Sequence, residues 1–451
     1  MPSTMFDSAI FRDAFGTPAM RAVFSDEAMV ARYVEIEIAL AKAEARLGVI
    51  PQEAASDIAG RCKPDSIDLA KLKQKTDVVG YPIVGLVAQM AAQCEEAGRY
   101  IHWGATTQDI MDTALVLQMR AGLALVADDL AAIDTTLARL ARTHRMTVMA
   151  GRTHLQQALP ITFGYKAAVW LSMIQRHRQR LMELLPRVLV GQLAGAAGTL
   201  ASLGDQGLAV SDALMDELEL GKPDIPWHVS RDGPAEAVGF LGLVTGTLAK
   251  IATDVMLMMQ TEIGEAFEPF EEGRGSSSTM PQKRNPIACE FIIGAAKVVR
   301  QQAGLMLDGL VADHERATGP WQAEWVALPQ AFIATSGALR HARFMLEGLV
   351  VEPQAMRRNL GVTGGLIVAE AVMMAFAAHV GRQEAHHIVY AACRKALEGG
   401  TTLLSELEKM PEVTRHLSPA RLAELTDPVN YLGSAPAMVD RVLARSSKDT
   451  L

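Results

Sequence analysis

Five long apolar-rich stretches with helical character constrain the fold more than any other feature of this chain. They run from Ala114 to His144, Phe163 to Leu185, Ala235 to Glu265, Pro286 to Leu310 and Leu328 to Glu347. A helix of 20 residues is about 30 Å long, which is more than a small single domain needs. We therefore predict an all-α fold in which these helices form a central bundle and pack against other helices and other subunits.

Length and composition agree with a helical protein of several domains. A chain of 451 residues is too long for one ordinary core, and 49% apolar but only 5% aromatic residues, with 23 Met, favour aliphatic helix packing over a sandwich or barrel. Prolines and short helices return after the bundle. We predict three helical domains, at 1–110, 111–352 (the bundle) and 353–451. An amphipathic helix with caps at Ser25 and Gly48 is predicted by the spacing of Met29, Tyr33, Ile36, Leu40, Ala43 and Leu47.

Charge and cysteine content exclude several classes of protein. The net charge of −8 argues against binding to nucleic acid. The four cysteines are scattered and have no metal-ligand spacing, so we predict neither a zinc site nor structural disulfides. No signal peptide is visible at the start, and the apolar stretch from Ala237 to Ala249 is too short to span a bilayer. We expect a cytoplasmic protein without metal, cofactor or membrane partner.

Three polar segments interrupt the apolar pattern, at His102 to Asp109, Gly151 to Gln157 and Gly273 to Pro286. In the third, small hydroxyl residues precede Lys283, Arg284 and Asn285, and Pro286 suits the first residue of a helix. Cations and a helix N-terminus favour an anion site, but a solvated serine linker has the same composition. The residues alone do not decide the role of the other two segments either. Each could be a helix cap, and a lone histidine is more often a core residue than a catalytic one.

The order and content of these segments resemble the fumarase/aspartase superfamily. Gly275 to Pro286 resembles its signature of two serines followed by Met-Pro-x-Lys-x-Asn-Pro, Gly151 to His154 resembles its second region, and His102 with Thr106 and Thr107 resembles its first. The resemblance implies a homotetramer in which three regions, each from a different subunit, form every active site. It extends over essentially the whole chain, including Tyr431 to Gly433.

The resemblance also implies roles for individual residues. Ser277 would be the group that exchanges a proton at the carbon α to a carboxylate, and Lys283 would stabilise the resulting dianion together with Asn285. The implied catalytic residues are Ser277, His154 and Lys283; the implied substrate-binding residues are His102, Thr106, Thr107, Arg152, Thr153, Gln156, Ser278, Met280, Asn285 and Arg316.

Within the superfamily, the chain could resemble either the adenylosuccinate lyases or the carboxymuconate cycloisomerases. The chain departs from the lyases at Ala14, at Thr76 and at Trp321 and Trp325, where those enzymes have groups that hold a nucleotide. Indole rings cannot replace the charged donors that a phosphate needs. The stretches His314 to Trp325, Pro226 to Asp232 and Gly195 to Leu200 instead resemble the 3-carboxy-cis,cis-muconate cycloisomerases.

That resemblance implies lactonisation of a small tricarboxylate. One carboxylate adds across a C=C bond while the carbon α to another carboxylate is protonated. A carboxylate has a pKa of about 4 and leaves without a general acid in the reverse direction, so we expect His154 to orient the substrate. Two alternatives stay open: an adenylosuccinate lyase-like elimination of fumarate, and a 3-sulfomuconate as the substrate.

Overall fold

The computed structural model describes residues 4–276, 279–280 and 282–446. This part of the chain is dominated by helices, with four short strands. The prediction of an all-α fold is confirmed.

Six helices precede the first long one. They are α1 (Arg12–Phe15), α2 (Pro18–Val23), α3 (Asp26–Arg46), α4 (Gln52–Arg61), α5 (Leu69–Val79) and α6 (Ile83–Gln93). The predicted amphipathic helix is α3. It begins where the Ser25 hydroxyl accepts a hydrogen bond from the Ala28 N–H at 3.2 Å, and it ends before Gly48, whose φ of +75° suits glycine. Its buried face carries Tyr33 and Leu40 as predicted.

All five predicted long helices are present. They are α7 (Thr107–Thr143), α8 (Phe163–Val188), α10 (Asp232–Met259), α11 (Ile287–Asp308) and α12 (Pro320–Glu347), with the shorter α9 (Gly207–Leu218) between α8 and α10. Several boundaries differ from the prediction: α7 begins at Thr107 instead of Ala114, and α10 ends at Met259 instead of Glu265. Two further differences involve prolines inside helices. α8 continues past Pro186, and α12 begins at Pro320 and contains Pro329. A proline inside a helix removes one backbone hydrogen bond, a loss that packing along the rest of a long helix offsets.

Two of these helices, α7 and α10, are long and apolar enough to cross a membrane by length and composition alone. The argument from length that we applied to Ala237–Ala249 therefore does not hold for the complete helix, which has 28 residues. Within the structure 61% of the apolar window of α7 and 44% of that of α10 are buried. Core helices of a bundle have the same composition.

The remaining helices follow β4 (Val350–Val351). They are α13 (Pro353–Leu360), α14 (Ala369–Val380), α15 (Arg382–Gly399), α16 (Leu403–Glu408), α17 (Pro411–Thr414), α18 (Pro419–Leu425) and α19 (Ala435–Ser446). A hydrophobic cluster that includes Val372, Phe376 and Leu403 joins α14, α15, α16 and α18. The turn between α14 and α15 uses Gly381 at a φ of +82°.

The strands are β1 (Val148–Thr153), β2 (Gln156–Thr162), β3 (Ala266–Phe267) and β4, paired antiparallel as β1–β2 and β3–β4. The hairpin of β1 and β2 was not predicted. It contains the second polar segment, which is neither a helix cap nor a core position.

The chain forms two compact units. The first contains residues 1–130, 177–249 and 291–341, and the second contains 131–176, 250–290 and 342–451. Each break between the units lies inside one of the five long helices. The division into domains at 1–110, 111–352 and 353–451 stays a prediction.

Candidate active site

In the first unit, the start of α7 is held by a buried aspartate. Asp109 is fully buried, and its carboxylate accepts the backbone N–H of Thr106 at 2.9 Å, of Ala194 at 3.0 Å and of Gly195 at 2.9 Å. The Nε2 atom of buried His228 lies 2.8 Å from the same carboxylate. Asp109 therefore fixes the loop before α7 against the loop that begins at Ala194.

Arg316 joins the same two loops from a third segment. Its Nη1 donates to the Thr106 hydroxyl at 3.3 Å, and its Nη2 donates to the Ala196 carbonyl at 3.0 Å. Thr106 and Thr107 are half-buried, as is Arg316. Two predicted substrate-binding residues that are 210 positions apart thus lie in contact. The guanidinium of Arg316 lies at the start of α7.

His102 lies in the turn before this helix start. Its φ of +64° is a left-handed conformation that costs a residue other than glycine about 1 kcal/mol. The ring Nδ1 is 2.7 Å from the Glu37 carboxylate on α3, and the Glu37 side chain is completely buried. Burial lowers the pKa of His102, but the charge of Glu37 and the hydrogen bond to it outweigh burial and raise the pKa above 6.5.

A second buried network lies one turn further along α7. The guanidinium of Arg231 is 1% exposed and makes bidentate pairs with Asp112 and Glu324 at 2.6 to 3.0 Å. The indole N–H of Trp321 donates to Asp112 at 3.1 Å. An ion pair this deep is costly to break because each partner left alone is an uncompensated buried charge.

Three of the positions that differ from adenylosuccinate lyases line one cavity of about 370 Å³. They are Thr76, Trp321 and Trp325. One lysine, Lys73, and three aspartates are the charged residues around this cavity. Its lining is mainly apolar, and its lysine is paired with Asp77 at 2.6 Å, which is unfavourable for a phosphate.

In the second unit, the hairpin places His154 at its tip. The turn between β1 and β2 consists of His154 and Leu155, with φ values of +50° and +63°. Both residues are exposed, Leu155 by 78%, and the adjacent Thr153 and Gln156 are also exposed. A two-residue turn with positive φ matches the twist of a hairpin but usually contains Asn or Gly. Strain of this kind is found at functional sites.

Arg152, which pairs with Gln157 near the tip of the same hairpin, is held by the protein's own carboxylate. Its two Nη atoms donate to Glu265 at 2.8 Å each, and the Glu265 side chain is fully buried. The amide of Asn359 donates to the same carboxylate at 2.9 Å. Arg152 therefore anchors the hairpin, and only part of its charge remains for a ligand.

The ends of the Gly273 to Pro286 loop are joined by backbone contacts. The Asn285 N–H donates to the Gly275 carbonyl at 2.9 Å, and Ser276 forms an isolated antiparallel bridge with Arg284. A Cβ on Gly275 would lie 2.6 Å from the Asn285 carbonyl oxygen. Lys283 and Met280 are exposed and Asn285 is half-buried, whereas Ser277 and Ser278 lie outside the described residues.

The helix after this loop does not have the free N-terminus that we expected. α11 begins at Ile287, so Pro286 precedes its first residue. The backbone N–H groups of Ala288 and Cys289 donate to the Glu268 carboxylate at 3.1 and 2.8 Å. The anion at this helix N-terminus is thus Glu268.

The predicted site residues consequently form two groups. His102, Thr106, Thr107 and Arg316 belong to the first unit; the predicted residues of the hairpin and the loop belong to the second. The described residues include no group of three or more His, Cys, Asp or Glu side chains that could hold a metal ion.

Sequence reasoning assigned no role to the anchoring residues Glu37, Asp109, His228, Glu265, Glu268 and Asn359. For Glu37 the sequence did contain a signal, namely a charged residue on an apolar helix face. It follows Tyr33 by four positions and precedes Leu40 by three, which places it on the buried face of α3.

Comparison with known proteins supports the assignment of this chain to the fumarase/aspartase superfamily. A family model described as Lyase matches residues 13–300, and one described as Adenylosuccinate lyase C-terminus matches residues 365–442. The chain is 50% identical over 448 residues to trans-aconitate decarboxylase 1 of Mycosarcoma maydis, covering 99% of this chain and 91% of that protein. It is 46% identical over 439 residues to a 3-carboxy-cis,cis-muconate cycloisomerase of Pseudomonas aeruginosa, covering 96% of each.

Solved structures agree with this assignment. A 3-carboxy-cis,cis-muconate lactonizing enzyme from Pseudomonas putida aligns with a TM-score of 0.94 and 42% identity, covering 98% of this chain and 100% of that one. A fumarate lyase from a Mesorhizobium species aligns with a TM-score of 0.90 and 53% identity, covering 95% and 98%. The predicted fumarase/aspartase-like fold is thereby confirmed, and the chain belongs to the fumarase/aspartase superfamily of lyases.

Proposed function

We propose that this protein is a 3-carboxy-cis,cis-muconate cycloisomerase, which converts that tricarboxylate to 4-carboxymuconolactone in the catabolism of aromatic acids. The observation that carries the proposal is full-length similarity at 42 to 46% identity to proteins of this name, together with the TM-score of 0.94. The cavity at Thr76 and the two tryptophans adds support, because its mainly apolar lining does not suit the phosphate of an adenylosuccinate lyase's nucleotide.

The trianionic substrate takes up one proton overall: a carboxylate oxygen bonds to one C=C carbon as the π bond breaks, the neighbouring carbon is protonated, and a dianionic lactone results. The proton comes ultimately from solvent. Ser277 delivers the proton, and Lys283 and Asn285 stabilise the aci-carboxylate that develops before protonation. Arg316 and Thr106 bind a second carboxylate. Because no poor leaving group needs protonation, His154 orients the substrate and does not act as an obligatory acid.

We also propose that the active enzyme is a cytoplasmic homotetramer whose sites combine residues of several subunits. Apolar side chains are exposed on the long helices, among them Leu243 at 55%, Leu307 at 61% and Val326 at 53%. Exposed apolar residues on bundle helices are typical of surfaces that pack against another chain. The exposed hairpin tip at His154 is likewise suited to contribute to a neighbour's site.

A side-by-side assay of three substrates tests the proposed reaction. With 3-carboxy-cis,cis-muconate we expect loss of the diene absorbance without fumarate, at a higher kcat/KM than fumarate release from adenylosuccinate or CO₂ release from trans-aconitate. The last substrate is included because of the 50% identical decarboxylase. A higher kcat/KM for decarboxylation of trans-aconitate would show that the protein is a decarboxylase and that the proposal is wrong. Lys283→Met should lose activity, whereas Lys63→Met, which removes an exposed lysine elsewhere, should not.

Subunit mixing tests the shared site. Ser277→Ala and Arg316→Ala proteins, each inactive alone, should regain part of the wild-type activity after they are unfolded and refolded together, because some sites then receive intact residues from both kinds of subunit. Light scattering should give the mass of four chains. Absence of complementation in a confirmed tetramer would place both residues in sites made by single subunits.

A further inference from the structure

Glu37 and His102 form a contact that the proposed reaction does not yet explain. Glu37 lies on α3 and its side chain is completely buried, while the His102 side chain is 20% exposed. The 2.7 Å contact uses Nδ1 of the ring, so Nε2 is the nitrogen left to donate to another group. His102 adopts its strained φ of +64° at this contact, four residues before Thr106.

The charged groups around this contact are few. Glu44, two turns further along α3, is fully buried, and neither of its carboxyl oxygens has a hydrogen-bond partner. Burial, and secondarily the charge of Glu37, raises the pKa of Glu44 to about 9. Glu44 is therefore protonated at neutral pH and does not compete for the proton of His102. Asp109 also attracts a charge on His102. Burial is the main cause of the raised pKa of the Cys62 thiol, which contacts Cys94, and the charge of Glu37 is a minor cause.

A buried carboxylate that contacts a partly exposed histidine favours the imidazolium form and fixes which nitrogen faces outward. The same arrangement keeps the ring in a left-handed backbone conformation that it would not otherwise adopt. Among the described residues of the first unit, this gives the start of α7 two cations, His102 and Arg316. Two cations on one side of a site match a substrate with several carboxylates.

We infer that Glu37 is a positioning residue that holds His102 as an imidazolium, with its Nε2–H directed to a carboxylate of the substrate. The inference rests on the proposed function for the identity of the substrate, but the Glu37–His102 pair itself does not. The pair acts on binding: it supplies a charge that is present in both the bound substrate and the transition state, so its loss raises KM and changes kcat little.

Glu37→Gln tests this role because it keeps the shape of the side chain and removes its charge. We expect KM for carboxymuconate at pH 7.5 to rise about tenfold with kcat changed less than about twofold, since the pKa of His102 falls when the carboxylate is lost. As the pH falls the difference in KM should narrow, because protonation of His102 then depends less on the charge of Glu37. The matched control is Glu44→Gln on the same buried face of α3, which should leave KM and its pH profile unchanged.

Two further measurements separate this inference from the proposed function. Titration of the His102 ring by NMR, assigned with His102→Gln, needs no turnover and should show a pKa above 6.5 that falls in Glu37→Gln. Calorimetric binding of citrate, an unreactive tricarboxylate, should weaken about tenfold in the same variant. If the His102 pKa falls in Glu37→Gln as expected but carboxymuconate is not turned over, the proposed function is wrong and the role of Glu37 toward His102 still stands.

A double variant guards against a merely structural effect. If Glu37 acts through His102, Glu37→Gln should raise KM no further in a His102→Gln background. Equal effects of Glu37→Gln in both backgrounds, or a fall in kcat at constant KM, would overturn the inference. Should Glu37→Gln not fold, Glu37→Asp, which retains the charge at a longer distance, should give an intermediate KM and an intermediate His102 pKa.

Discussion

Glu44 makes a quantitative prediction about stability. Both of its carboxyl oxygens are buried without a hydrogen-bond partner, and burial, followed by the charge of Glu37, raises its pKa from 4.5 to about 9. Because the pKa of the folded state is raised, the contribution of this group is complete below pH 4.5 and is lost as the pH rises toward 9. At pH 7 the loss is 2.5 pH units, or about 3 kcal/mol at about 1.4 kcal/mol per unit.

Replacing Glu44 by Gln removes this linkage. The amide has nearly the shape and polarity of the protonated carboxyl group and cannot ionise, so the two proteins should have similar free energies of unfolding at pH 4.5 to 5. The variant should become the more stable one as the pH rises, and the difference should widen by about 2.7 kcal/mol between pH 6 and pH 8.

Urea denaturation at pH 5, 6, 7 and 8, at one fixed protein concentration because association contributes to stability, measures the difference directly. Glu53→Gln, on the exposed face of α4, is the control and should show no pH-dependent difference from the wild type. A constant gap between Glu44→Gln and the wild type at all four pH values would show that Glu44 ionises normally in the folded protein, and the reasoning from burial would fail.

Three further predictions concern the buried ion pairs, the loop and the hairpin. Arg231→Met should lower the free energy of unfolding by about 3 to 5 kcal/mol, because it leaves two buried carboxylates without a cation; a loss below 1 kcal/mol in urea titrations would contradict this. In the loop from Gly273 to Pro286, Gly275→Ala should reduce kcat far more than Gly273→Ala. Both glycines have positive φ, but only at Gly275 would the added Cβ lie 2.6 Å from a backbone carbonyl oxygen. In steady-state assays His154→Ala should retain more than about 1% of the wild-type kcat, less than the loss typical of a general acid, while Ser277→Ala should retain none; equal losses would make His154 an essential acid.

The sequence was sufficient for the long helices because apolar periodicity over 20 or more residues is a strong signal. It was wrong about the start of α12, which we placed at Leu328, next to Pro329, whereas the helix starts at Pro320. A proline is a reliable helix boundary only when the preceding turns have no tertiary packing of their own. In α12 the first turns carry Trp321, which is 2% exposed and bonded to Asp112.

The hairpin was missed for a related reason. Its turn has His154 and Leu155 where Asn and Gly are the usual signal, and Pro160 lies within the second strand. The strands are instead fixed by contacts that the local sequence does not show. Arg152 pairs with Glu265, which is 113 positions away, and Gln157 donates to the Asn359 carbonyl, which is 202 positions away.

The first polar segment shows why a motif locates a site without resolving which of its residues bind the ligand. Thr106, Thr107, Gln108 and Asp109 are consecutive and polar, yet successive residues of a helix point about 100° apart. Gln108 and Asp109 are fully buried and bonded to the protein, whereas Thr106 and Thr107 are half-buried and Thr106 is bonded to Arg316. The buried polar groups hold the loops on either side of this helix start, and the half-buried ones stay accessible to a ligand. The distinction between the two depends on the direction of the helix, which only the fold determines.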